Sequence, residues 1–106
     1  MIPTMKIKMK ITQQKLEGLL ENDAITEGMY VRVHGTHLIA GREESVGSDD
    51  ETEKFDRVRF THLRSSQYGL SVKRHTGRWE RTPFSGTLEE MVEVVQGLMQ
   101  HLVAKY

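Results

Sequence analysis

The sequence predicts an α+β two-layer sandwich, with an antiparallel meander of about five to six strands. A short N-terminal helix and a long C-terminal amphipathic helix lie on one face. Three observations predict it. A tight turn at Gly35-Thr36 fixes a hairpin register that agrees with the apolar pattern on either side. Two later segments alternate with period two, and the C-terminal segment opens on a capping box followed by an apolar stripe of helical spacing.

The chain has 106 residues, enough for one domain over 1–106 with a core of its own and no metal or disulfide staple. Apolar residues make up 37% and charged residues 28%, a polar balance that still fits a folded domain. Cysteine is absent, which excludes a disulfide scaffold, a thiolate zinc site and a cysteine nucleophile and suits a reducing compartment. The apolar runs fall far short of the roughly twenty residues a membrane span needs. Met1-Ile2-Pro3-Thr4, followed by Lys6, Lys8 and Lys10, lacks the continuous apolar stretch of a signal peptide. The expected setting is cytoplasmic, with no membrane partner.

Met5, Ile7, Met9 and Ile11 alternate with Lys6, Lys8 and Lys10, the pattern of a half-buried strand whose lysine face suits a sheet edge. Thr12 then caps a short helix, with Ile11 and Leu16 spaced as a hydrophobic staple and Leu16, Leu19 and Leu20 as its apolar stripe. In the hairpin from Met29 to Ala40, the turn pairs His34 with His37, Val33 with Leu38 and Val31 with Ala40, placing four apolar residues on one face. Residues 42–54 read as a flexible acidic loop: Glu43 to Glu53 holds Glu43, Glu44, Asp49, Asp50, Glu51 and Glu53 and no Lys or Arg. The chain as a whole is neutral, so the remainder is mildly basic.

The next two strands run from Phe55 to His62 and from Tyr68 to Lys73. Pairing 58 with 72, 60 with 70 and 62 with 68 aligns their apolar faces and leaves Leu63 to Gln67 as the connection. The following turn has two solutions. A two-residue turn at His75-Thr76 pairs Trp79 with Val72 and puts it in the core; a turn closed by a glycine bulge at Gly77 sets Trp79 opposite Lys73, on the other face. Thr87 and Glu90 then form a capping box, and Leu88, Met91, Val92, Val95, Leu98, Met99, Leu102 and Val103 supply a stripe wide enough to cover a sheet. Glu89, Glu90 and Glu93 near the start and Lys105 near the end suit the helix dipole.

With both helices on one face, the other sheet face is open. It should carry Tyr30, Arg32, His34, His37, Arg57, Arg59, Thr61, Ser71 and Lys73. Guanidinium groups that follow a backbone, beside an aromatic ring that stacks a base, are the means by which single-stranded nucleic acid is held. Arg57, Arg59, Lys73, Arg78 and Trp79 are the candidate residues, with the acidic segment as a competing lid. The helix, meander, helix order resembles that of the double-stranded-RNA-binding domain. That domain presents lysines to phosphates from its second helix, where this chain has Glu89 and Glu90, so the resemblance ends at topology.

Other chemistries are thinner. His34 and His37 are cross-strand neighbours and could supply two metal ligands, but a zinc site needs three or four. His62 reads as partly buried and His101 as surface. Asp49 and Asp50 pair carboxylates in a segment too polar to shift their pKa by burial. No nucleophile elbow, phosphate loop or metalloprotease motif is present, so neither an enzyme nor a cofactor is expected. Met91, Val94 and Met99 give the last helix apolar breadth for self-association. The expected function is a non-catalytic binding or interaction module acting through the open sheet face or as a homodimer, or else a single-stranded nucleic-acid-binding domain.

Overall fold

The computed structural model describes residues 4–47 and 51–104; for 4–7 it describes the backbone alone. The elements are α1 (Thr4–Glu21), β1 (Tyr30–His34), β2 (His37–Ser45), β3 (Thr52–Arg64), β4 (Gln67–Lys73), β5 (Trp79–Gly86), α2 (Leu88–Leu98) and α3 (Gln100–Val103). The strands form one antiparallel sheet in the order β1-β2-β3-β4-β5, a pure meander. Leu16, Leu20, Leu88, Met91, Val92 and Val95 of the helices pack with Leu38, Ala40, Val58, Phe60 and Leu70 of the sheet in one core. The helices therefore cover one face, and among the described residues no helix is long and apolar enough to cross a membrane.

The N-terminal strand does not form. Residues 4–21 are one continuous helix, α1, rather than a strand followed by a short helix. Lysine, methionine, glutamine and leucine are all strong helix formers, and a seven-residue alternation is too short to outweigh them. Met9, Leu16 and Leu20 are buried on one side of α1, while Ile11 is left 61% exposed and makes no staple. Thr12 lies mid-helix, its hydroxyl donating to the Lys8 carbonyl at 2.8 Å instead of capping. Gln13 donates from α1 to the Val31 carbonyl at 2.8 Å, so the helix shields the β1 edge. At the other end, Thr26 is fully buried; its hydroxyl donates to the Leu20 carbonyl and accepts from Gln96 of α2. That satisfies a carbonyl the helix terminus leaves without an internal donor.

The first hairpin has the predicted register, His34 with His37 through Val31 with Ala40. The segment read as an acidic loop is mostly strand: Arg42 pairs with Phe55, Glu43 with Lys54, Glu44 with Glu53 and Ser45 with Thr52. The ladder closes beyond them where the Val46 N–H donates to the Glu51 carbonyl at 2.9 Å. Charged side chains alternating across a two-stranded extension need no core, which hid the strands from a hydrophobicity pattern. Asp49, Asp50 and Lys105 lie outside the described residues. The β3–β4 pairing is as predicted, Val58 with Val72, Phe60 with Leu70 and His62 with Tyr68, with both strands longer and the turn reduced to Ser65-Ser66.

The fork at the last turn closes on the bulged solution. Gly77 adopts φ 86°, the left-handed region that favours glycine, its N–H donates to the Arg74 carbonyl, and Lys73 pairs with Trp79. Pro83, which cannot donate to a ladder, sits in the irregular stretch of β5 at the sheet's outer edge. The capping box is present: the Thr87 hydroxyl accepts from the Glu90 N–H at 3.2 Å and the Glu90 carboxylate accepts from the Thr87 N–H at 2.9 Å. The last helix breaks at Met99 into α2 and α3, and Leu98, at the margin of the apolar stripe, is 65% exposed.

Candidate functional site on the open sheet face

Register places the uncovered face residue by residue. One row crosses all five strands as Arg32, Ile39, Arg59, Ser71 and Arg81. A flanking row carries His34, His37, Thr61, Gly69 and Ser85, and on the other side Tyr30, Gly41, Asp56, Lys73 and Trp79 lie together. Strands are about 4.8 Å apart, so arginines on alternate strands stand roughly 10 Å from one another. Ile39 and Ser71 are buried although no helix covers them, because the long side chains beside them fold over the sheet.

Arg59, Lys73 and Trp79 converge as the sequence suggested. The Arg59 guanidinium lies 4.8 Å from the Trp79 ring centroid and the Lys73 ammonium 5.4 Å from it, both within cation–π range. The Arg59 Nε is buried and has no hydrogen-bond partner among the described residues. Trp79 itself is half-buried.

Two of the expected cations are elsewhere. The pairing slips between Ala40 and Gly41, so that Ala40 faces Val58 but Gly41 faces Asp56, and Arg57 is the extra residue of this bulge. Its guanidinium donates to Glu44 at 2.7 Å. Glu44 alternates with Arg42, whose side chain reaches α3, so Arg57 belongs to the helix side of the sheet. A bulge between two charged strands leaves no apolar trace in the sequence. Arg78 is exposed at the turn before β5. Arg32, which the sequence placed on this face though not among the five binding candidates, and Arg81, which it did not place, complete the row; pairing β5 by its register would have found Arg81.

Asp56 organises the other half of the face. It accepts from the Tyr30 hydroxyl at 2.5 Å and from Arg32 at 2.7 Å, and Lys73 stands 3.8 Å away. Burial works against its charge, but the hydrogen bonds from Arg32 and Tyr30 outweigh it and hold the carboxyl below its usual pKa. A carboxylate with a depressed folded-state pKa contributes stability above its unfolded value, about 3.9, and loses it as pH falls through the folded value. The stability difference between wild type and Asp56→Asn should therefore be full at neutral pH and shrink below about pH 4. Urea midpoints measured from pH 2 to 7 read it directly, and a constant difference would mean the network adds nothing through charge.

The His34 and His37 rings are stacked with centroids 6.4 Å apart, and among the described residues no group of three or more candidate ligands could hold a metal ion. His37 instead shares a 2.8 Å hydrogen bond with the Thr61 hydroxyl; burial first, and then Arg59, lowers its pKa, so the ring is neutral at pH 7. Met91 and Met99 are buried in the core, and Val94 is partly buried against it. Glu43, Glu44 and Glu53 of the acidic segment sit in the β2–β3 ladder. The chain matches no protein family, no curated protein and no solved structure.

Proposed function

We propose that this chain is a non-catalytic binding module whose open sheet face takes a single-stranded nucleic acid. The observation that carries the proposal is the contact of Arg59 with Trp79: a guanidinium held against an indole, its Nε without a hydrogen-bond partner among the described residues, in the middle of a row that also holds Arg32 and Arg81. The indole is a stacking surface for a base, and the cations beside it follow phosphates. Arg32, Lys54, Arg59, Lys73 and Arg81 on this face outnumber Glu43 and Asp56, giving it a positive field in a chain of zero net charge. The row spans about 19 Å at ordinary strand spacing, room for a few nucleotides. The cysteine-free composition supports a cytoplasmic setting.

The test is a titration of a labelled mixed-sequence single-stranded oligonucleotide at low salt, following anisotropy and tryptophan emission together. Trp79 is the chain's one tryptophan, so its emission reports this face alone. With about three phosphates neutralised, log K should fall against log salt with a slope near −2. Absence of binding at tens of micromolar, or binding that leaves Trp79 emission unchanged, would overturn the proposal.

A further inference from the structure

We infer that a depression over Gly69 on this face is a phosphomonoester site, which receives the terminal phosphate of a bound strand; the inference rests on the open face being the binding surface. The depression runs from the start of β2 across β3, β4 and β5 and has a volume of about 490 Å³. Its walls include His37, Arg59, Thr61, Ser71, Arg81 and Ser85. Gly69 opens its floor by having no side chain, and Leu63 leans over that gap, within 3.7 Å of where a Cβ would stand. Arg59 and Arg81 are both cross-strand partners of Ser71, so two guanidinium-bearing stems rise on opposite sides of one small, buried hydroxyl residue.

Charge and geometry select the ligand. Among the described residues, no carboxylate lines the depression. Arg81 and Arg59, the latter now resting its guanidinium against Trp79, stand beside an imidazole and hydroxyls, and rotation of the Arg59 side chain would bring a second guanidinium to the same bound group. An internal phosphodiester carries one charge and is tethered on both sides. A monoester carries nearly two at neutral pH, exposes three terminal oxygens, and is tethered on one side only. Paired arginines bind such a group through charge-assisted, bidentate hydrogen bonds. The site is concave and bounded toward the sheet edge by β5, where Pro83 lines it, which suits an end rather than a passing backbone.

The experiment compares one oligonucleotide sequence bearing a 5′-phosphate, a 3′-phosphate or neither, on wild type and on Arg81→Gln, with an NMR titration of the His37 ring by thymidine 5′-monophosphate and by thymidine. One phosphorylated end should bind about tenfold tighter than the unphosphorylated strand, the return from one or two charge-assisted hydrogen bonds. Arg81→Gln should reduce that ratio to near one, and the monophosphate but not the nucleoside should shift His37. Equal binding of all three strands with no His37 shift overturns the inference and leaves the nucleic-acid reading standing, as does a preference that survives Arg81→Gln. A His37 shift without binding of any strand keeps the phosphomonoester site, for a small phosphorylated molecule, and removes the nucleic-acid reading. Neither response removes both.

Discussion

Replacing Arg42 by methionine should cost the fold on the order of 3 to 5 kcal/mol, the largest loss expected from any single side chain here. Arg42 is only 3% exposed. Its Nε donates to the Val103 carbonyl at 2.8 Å, Nη2 to the Ile25 carbonyl at 2.7 Å and Nη1 to the Glu27 carbonyl. One guanidinium thus joins β2 to the end of α3 and to the loop after α1, satisfying backbone acceptors that no helix or ladder reaches. Methionine fills much of the volume but strands those carbonyls, and a buried acceptor without a donor costs more than the original bond contributed. Lysine keeps the charge without the planar fork and should recover only part of the loss. Urea unfolding reads the effect as a lower midpoint at unchanged slope. A loss under about 1 kcal/mol for the methionine variant would mean the three contacts are not what fastens the C-terminus.

Gly41→Ala should cost about 2 to 3 kcal/mol by overpacking. An added Cβ would collide with the Phe55 carbonyl oxygen and would stand 2.5 Å from the Tyr30 hydroxyl. The collision with backbone cannot be relieved by turning a side chain. Gly41 is therefore the gap through which Tyr30 crosses β2 to reach Asp56. Burial, and then that hydrogen bond, raise the Tyr30 pKa above its ordinary value near 10. In Gly41→Ala one tyrosine should return toward that ordinary value in a spectrophotometric titration, alongside a lower melting temperature. An unchanged titration and melting temperature would show that the crossing is not enforced by the glycine.

Much of this was legible in the sequence wherever apolar residues meet a core. The hairpin at Gly35-Thr36, the β3–β4 register and the Thr87–Glu90 capping box follow from turn chemistry and alternation. Trp79 was reduced to two positions by the same logic, and Gly77 decided between them. The misses share a cause. In residues 4–11 a short alternation stood against strong helix propensity, and α1 gained by packing Met9 with Leu16 and Leu20. In residues 42–54 the strands are held by backbone bonds and charged side chains, which leave no apolar period. Arg42 looked like the first residue of a loop because a buried arginine is recognised only by the carbonyls around it, and these come from distant segments. The bulge that turns Arg57 toward Glu44 is invisible for the same reason. The site half-emerged: Arg59, Lys73 and Trp79 were named, while Arg81 needed the final register.

The most direct test of the account is single-stranded oligonucleotide affinity at low salt for Arg59→Gln beside Arg78→Gln. Both remove one charge from residues the sequence nominated for binding, but only Arg59 lies on the open face with its guanidinium against Trp79. The account predicts a loss of about tenfold or more for Arg59→Gln, combining a phosphate contact with the support of the stacking ring, and less than about twofold for Arg78→Gln. Equal losses in the two variants would mean that binding follows bulk positive charge, and would contradict a site built on this sheet face.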